Sequence, residues 1–440
     1  MGPMSTFLGP ELQVYFIIAA FSFIMISFFN PGVGLVLMTF AMLFSPEFDV
    51  GSLASRSVVI RAEDILIPLL AIAWIARLAI RREARLFVAS PLNIPIFSVL
   101  LLSVFSTARG IAAGSVPSPL TSFFFIGKIT EFFAIFFLVM NYVRTERGVE
   151  RFLIYVIWVV AILGVYTLFQ VPHIEIFTEK RITAPFEGSP EPATIGGYMA
   201  FLLLIILSIF LYEPNAARKF LFAVLGLIVF IPFLYTLNRT SYVALLGGLF
   251  FIVLVEKRKW FTLLIFAFLL VSPLLLPKVV KDRIAWTWQD RVNPGRDLGV
   301  DASLQQRVYA FRKLFGLWRD SPIIGSGICS WGLPDSQYAR TLQEIGVIGL
   351  GLWIWIFTRL YRMSRWLFDF YEEGMLKGFL LGYRAGLLAI AIHGFGAVTL
   401  YIVRIMEPFW FISGLVVSLY LIRIQEESQA AKEPLEETHV

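Results

Sequence analysis

Arg239 stands in the stretch Tyr235-Thr-Leu-Asn-Arg-Thr-Ser-Tyr242, between the apolar runs Phe220–Leu234 and Val243–Val255. An ionised side chain at the centre of a bilayer costs about 2.5–3.5 kcal/mol or more, so such residues face water, a partner or a substrate. Other charges recur at the ends of other apolar runs. They are Arg61, Glu63 and Asp64; Lys128; Arg181, Glu187 and Glu191; Arg307; Asp335, Tyr338, Arg340 and Glu344; and Arg404 and Glu407. Gathered by a helical bundle, they would line a charged pocket at one membrane face. Glu344 lies in an apolar run (Leu342, Ile345, Val347, Ile348), which predicts a buried carboxylate holding an Arg by a bidentate pair. Blander readings stand beside these. Arg61, Glu63 and Asp64 could be interfacial charges, Lys128 could snorkel, and Arg181 with its two Glu could form a solvated loop. Trp286 and Trp288 suit an aromatic belt or sugar stacking. His393 reads as a hydrogen-bonded packing residue, and Asn238-Arg-Thr240 as a chance glycosylation sequon.

The elements that must position these residues are helices in lipid. The chain has 440 residues, 58% of them hydrophobic, and a mean hydropathy of +0.78. Only helices and closed barrels satisfy their backbone in a bilayer. Barrel strands alternate apolar and polar residues, and these runs do not. The prediction is an all-α polytopic membrane protein of 12 or 13 spans. These fall near 13–29, 31–45, 64–80, 93–112, 121–142, 152–171, 194–212, 220–236, 241–255, 260–277, 342–360, 378–400 and 406–423. Four regions follow: helices over 1–277, a large loop over 278–341, helices over 342–424 and a tail over 425–440. No cleavable leader is expected, because Glu11 precedes the first span. One cysteine, Cys329, excludes an internal disulfide, and three histidines argue against a His-rich metal site. With no phosphate-binding glycine loop, a nucleotide-driven pump is not expected. Gly346-Val-Ile-Gly-Leu-Gly351 reads as small-residue helix packing.

Orientation follows from basic residues in short loops. One set of loops carries 16 Lys and Arg, including Arg77, Arg144, Arg218, Lys257 and Lys377; the opposite set carries 7. The first set is therefore read as cytoplasmic. The long segment Lys278–Arg340 falls outside and holds ten Lys and Arg against six Asp, which suits an anionic ligand or salt-bridged surface. Within it Leu304, Val308, Phe311, Phe315 and Trp318 recur at helical spacing, predicting an amphipathic helix that ends at Ser321-Pro322. Gly325-Ser326-Gly327 then predicts a tight turn leading back into the protein.

Several short stretches carry a family resemblance. Pro322-Ile-Ile-Gly-Ser-Gly327 followed by Asp335-Ser-Gln-Tyr-Ala-Arg-Thr-Leu-Gln-Glu-Ile-Gly-Val-Ile-Gly-Leu350 resembles the signature of the bacterial O-antigen ligase and O-antigen polymerase superfamily. Arg307, Leu237-Asn-Arg-Thr-Ser241 and Arg181-Ile-Thr-Ala-Pro-Phe-Glu-Gly188 are similar to further motifs of that group. By layout the resemblance covers most of residues 60–420. It implies a membrane-embedded, GT-C-like glycosyltransferase in the bacterial inner membrane, with its active site facing the periplasm. The donor would be an undecaprenyl-diphosphate-linked oligosaccharide, and the acceptor a sugar hydroxyl of a second glycan or of lipid A-core. No cofactor, metal or nucleic acid is expected; a chain-length regulator protein is a further expected partner.

Ligases of the family carry a His nine residues before the Glu matching Glu344. Here that position is Asp335, followed by Ser336, which favours a polymerase of O-antigen or exopolysaccharide over a ligase. On this reading Arg181, Arg239 and Arg307 hold the diphosphate, and Asp335 orients or deprotonates the acceptor beside Tyr338. Glu344 positions an Arg, while Arg404 and Lys128 are further substrate contacts. Direct displacement would invert the anomeric carbon. Two alternatives remain open: a lipid-linked oligosaccharide flippase or other transporter, for which broken helices and internal repeats would speak, and a wall-building polymerase of the shape-and-division type.

Overall fold

The computed structural model describes residues 10–53, 56–81, 88–174, 181–186, 191–285, 318–330 and 336–430. In chain order the elements are α1 (Pro10–Phe29), α2 (Pro31–Phe44), a hairpin of β1 (Glu47–Leu53) and β2 (Arg56–Arg61), α3 (Ala62–Arg81), α4 (Asn93–Ala112), α5 (Pro119–Tyr142), α6 (Glu146–Leu168) and α7 (Pro192–Tyr212). There follow α8 (Ala216–Tyr235), α9 (Arg239–Glu256), α10 (Lys259–Leu275), α11 (Lys278–Ala285), α12 (Gln337–Phe370), α13 (Met375–His393) and α14 (Val403–Ala430). Each of the thirteen predicted spans is a helix. Among the described residues nine of them, α4 to α9 and α12 to α14, are long and apolar enough to cross a bilayer. The protein is an all-α, multi-pass membrane protein. The antiparallel hairpin, with Glu47 opposite Arg61, is an addition that sequence reading did not foresee. Helix α14 runs to Ala430, so the region expected as a tail from 425 begins as helix. Of the predicted amphipathic helix Leu304–Trp318 only Trp318 is described; Trp286 and Trp288 also lie outside the described residues.

The helices begin where local chemistry satisfies their free N–H groups. The Ser118 hydroxyl accepts from Thr121 N ahead of Pro119, Thr145 accepts from Gly148 N, and Asn215 from Ala217 and Arg218 N. Asn238 accepts from Ser241 N, so the predicted sequon asparagine is a helix cap. Helix α7 is apolar on every side and buried along nearly its whole length, and α14 is buried over Arg404–Leu419; α8 and α9 face mostly outward. Between α7 and α13 the backbones come close at Gly378 and Gly382, where an added Cβ would lie 2.5 Å from Ile209 Cα and 2.4 Å from Ile205 Cα. That four-residue glycine stripe is the small-residue packing face.

Gly346, by contrast, is no packing residue. It breaks α12 nine residues from its start, at φ 67° and ψ −167°, a conformation open only to glycine. The break lies about 14 Å along the helix at ~1.5 Å per residue. The segment 321–330 enters the gap, as the Gly325-Ser326-Gly327 turn predicted. Ser326 N donates to Gln343 O at 2.8 Å and Gly327 N to Glu344 O at 3.0 Å, while Val347 N and Ile348 N donate to Pro322 O and Ile323 O. Helix α4 closes the other side: Thr107 Oγ1 accepts from Ile328 N at 3.1 Å and Ser106 Oγ donates to Glu344 O at 2.7 Å.

The two ends of the bundle differ. At one, Arg423 pairs with Glu146, Arg258 pairs with Glu256 at 2.9 Å and Arg77 donates to Phe28 O; this is the end of the more basic loops. The starts of α3, α5, α7, α9, α12 and α14 lie at the other. Gly346→Ala places a Cβ 2.3 Å from Ile323 O and should cost at least about 2 kcal/mol. Gly351, which has nothing within 4 Å of its Cβ position, should accept Ala with an unchanged or raised melting temperature. Melting of the two detergent-purified variants checks this; equal behaviour would contradict the break.

Candidate functional site

One stretch, Thr399–Glu407, touches several of the buried polar groups at this end of the bundle. It leaves α13, makes a 3-10 turn over Thr399–Tyr401 and enters α14. Thr399 Oγ1 lies 2.8 Å from His393 Nδ1, and His393 Nε2 lies 3.2 Å from Ser241 Oγ in the first turn of α9. That turn begins with Arg239. His393 is thus the buried, hydrogen-bonded packing residue expected. Leu400 N donates to Gln337 Oε1 at 2.9 Å, holding the start of α12. Tyr401 Oη donates to Glu344 Oε2 at 2.5 Å. Arg404, 1% exposed, donates to Pro185 O at 3.4 Å in the segment that carries Arg181. Glu407 reaches the carboxylates of Glu63 and Asp64.

The centre of this arrangement is Arg340 with Glu344, both 1% exposed. They stand four apart on α12, the spacing that brings helix side chains together. Arg340 Nε donates to Glu344 Oε1 at 3.0 Å, and Cys329 N donates to the same oxygen at 2.9 Å. The guanidinium lies 3.6 Å from the Tyr401 ring centroid and 4.9 Å from that of Phe125. Every oxygen of Glu344 is answered, which is the condition for a buried charge to persist. Sequence reading expected Glu344 to hold an Arg by a bidentate pair without saying which one; the partner is Arg340, reached through Nε alone, and the i, i+4 spacing was the signal available.

The other predicted residues fall as follows. Arg307 and Asp335, with Glu187, lie outside the described residues. Arg239 is half-buried at the start of α9, and Arg181 half-buried in 181–186, where Thr183 is held by Gln170 at 3.0 and 3.1 Å. Tyr338 donates to Ala391 O at 2.7 Å and packs on Phe395, which ties α12 to the end of α13. Lys128 does not snorkel. Its ammonium is held between Asp64 and Glu131, so its charge is already matched within the protein.

Backbone strain marks the same places. Among the described residues four non-glycine residues have positive φ: Phe186, Leu237, Lys257 and Cys329. Lys257 ends α9. The others follow Pro185, precede Asn238-Arg239 and donate to Glu344. Strained backbone persists where surroundings over-determine it, often at functional sites; no residue-type pattern announced these three.

A groove of about 510 Å³ opens nearby between α1, α2 and the start of α3. Phe23, Leu37, Phe40, Phe44 and Leu66 line it, and no Arg or Lys does. No protein-family model and no curated protein matches the chain. It is similar, at 18% identity and a TM-score of 0.41, to a solved chain from work on structural coordination of polymerization and crosslinking by a peptidoglycan synthase complex. That likeness covers 76% of this chain and 96% of the other; at this level it carries no argument.

Removing one member of the central pair leaves a buried charge unanswered. Glu344→Ala should cost about 3–5 kcal/mol. Tyr401→Phe should cost about 1.5–3 kcal/mol, the range for a hydrogen bond to a charged group. The double change Arg340→Met with Glu344→Met should melt higher than Glu344→Ala, since no charge is stranded. Unfolding of the purified variants decides it: additive losses would show that the two side chains are uncoupled.

Proposed function

We propose that the chain is a membrane-embedded glycosyltransferase that polymerises O-antigen or exopolysaccharide repeat units at the periplasmic face of the bacterial inner membrane. The observation that carries this reading is the fastening of the Arg181 segment, the Arg239 helix start and the Arg340–Glu344 pair to the single stretch Thr399–Glu407. Such an arrangement suits a ligand with several phosphate oxygens, because guanidinium groups neutralise charge that grows on a leaving diphosphate. Arg181, Arg239 and Arg307 take that role. Asp335 accepts the proton of the acceptor hydroxyl, with Tyr338 close in sequence. The acceptor oxygen forms the new bond to the anomeric carbon as the bond to the polyprenyl diphosphate breaks, and the configuration inverts. Arg340, whose guanidinium is bound to Glu344 between two rings, serves as scaffold rather than ligand contact.

A second reading, a transporter of lipid-linked oligosaccharide, draws on the break in α12 at Gly346. The break is filled by the protein's own segment 321–330, which favours the enzyme.

Purified protein given an undecaprenyl-diphosphate-linked repeat unit should elongate it. Arg239→Ala and Arg307→Ala should each slow elongation about 10²-fold, the scale of losing one charge-stabilising donor. Full elongation by both variants at normal expression would sink the assignment. Gene deletion separates the classes: loss of long chains with single repeats retained supports a polymerase. Intact chains unattached to lipid A-core indicate a ligase, and trapped precursor with no surface glycan indicates a flippase.

A further inference from the structure

Four carboxylates meet where α3, α5 and α14 pack: Glu63, Asp64, Glu131 and Glu407. Two cations answer them in part. Lys128 Nζ binds Asp64 and lies 3.1 Å from Glu131 Oε2. Arg61 donates its backbone N–H to Asp64 Oδ2 at 3.0 Å, and its Nε lies 4.0 Å from Glu63 Oε1. The Ser45 hydroxyl donates to Glu63 Oε2.

This leaves buried acceptors without a hydrogen-bond partner: Glu63 Oε1, Glu131 Oε1 and both oxygens of Glu407. Glu407 is the telling case. Its side chain is fully buried, neither oxygen has a hydrogen-bond donor, and it lies with an oxygen within 4.8 Å of oxygens of Glu63 and Asp64. A buried carboxylate without partners is strongly disfavoured, the more so inside a membrane. Four carboxylates face one ammonium and one guanidinium, so acidic groups outnumber basic ones here.

We propose that Glu63, Asp64 and Glu407 bind one hard divalent cation, of the Mg²⁺ or Ca²⁺ class. All the donors are oxygen, with no His or Cys among them, which is the preference of hard cations. Such an ion would supply the donorless oxygens of Glu407 with a partner. Bound there it joins α3 to α14 beside α5, below the segment that carries Arg404. It is a structural ion, and the proposal stands whether or not the chain transfers glycans.

The test uses the full-length protein, purified in detergent and stripped with a chelator. Radioactive Ca²⁺ in equilibrium dialysis should bind at one ion per chain and be displaced by Mg²⁺. Millimolar divalent cation should raise the melting temperature by several degrees. Glu407→Gln should weaken binding at least 10-fold and abolish the thermal shift. Its cation-free melting temperature should be no lower than that of the parent, because the change removes an unanswered charge. If this variant does not accumulate, Glu63→Gln should show the same loss of binding. Absence of saturable divalent binding in the parent overturns the proposal, as does saturation by Na⁺ alone or binding unchanged by both substitutions; the surplus charge is then met by protons.

Discussion

The buried ion pair of Arg340 and Glu344 is the interaction on which the site depends. In lipid a charge must be answered by other protein groups, and this pair recruits them from three parts of the chain. Cys329 supplies an N–H, Tyr401 a hydroxyl and a ring, and Phe125 a second ring. Breaking such a pair costs far more than its net contribution to stability, because the remaining partner is stranded. The pair therefore fixes position. It sets α12 against α5 and against the turn that leads into α14, and so determines where Arg404 and Glu407 begin their helix.

A second constraint acts on the backbone. Irregular chain is tolerated at membrane depth only where its N–H and C=O groups are satisfied by protein or by water in a cavity. Segment 321–330 meets that condition because α12 is broken opposite it. The carbonyls of Gln343 and Glu344, freed by the break, accept from Ser326 and Gly327; the amides of Val347 and Ile348, freed on the other side, donate to Pro322 and Ile323. Loop and break complete one another. Gly325 and Gly346 are required together, since a Cβ at either would lie within 2.4 Å of the other segment's backbone.

Much of this was legible in the sequence, for reasons that differ by level. Long apolar runs in a bilayer can do little but form helices, so a helix lies at each of the thirteen places, nine of them long and apolar enough to cross among the described residues. The turn at Gly325–Gly327 was legible because two glycines around a serine after Ser-Pro leave few conformations. The burial of Glu344 was legible from its apolar neighbours. What escaped was pairing across distance. Nothing local says that Lys128 meets Asp64, or that Tyr401 meets Glu344, because residues 64 and 57 apart cannot be matched from one chain. The glycines were misread in the same way. Gly346 and Gly349 have the spacing of a packing face, yet the close approach is made at Gly378 and Gly382, and only the position of α7 decides between them.

The placement of strain completes the physical picture. Phe186, Leu237 and Cys329 hold left-handed backbone that costs a β-carbon residue about 1–2 kcal/mol. Each lies at a joint: between the Arg181 segment and Arg404, between α8 and the capped start of α9, and between the inserted turn and Glu344. A joint in that conformation aims the chain after it along a path that relaxed backbone would not take. The buried contacts that force it, above all the hydrogen bonds to Glu344 and to Pro185 O, must be formed together for any one strained residue to persist. The polar end of the bundle is therefore expected to order as a unit, with Thr399–Glu407 as its common support.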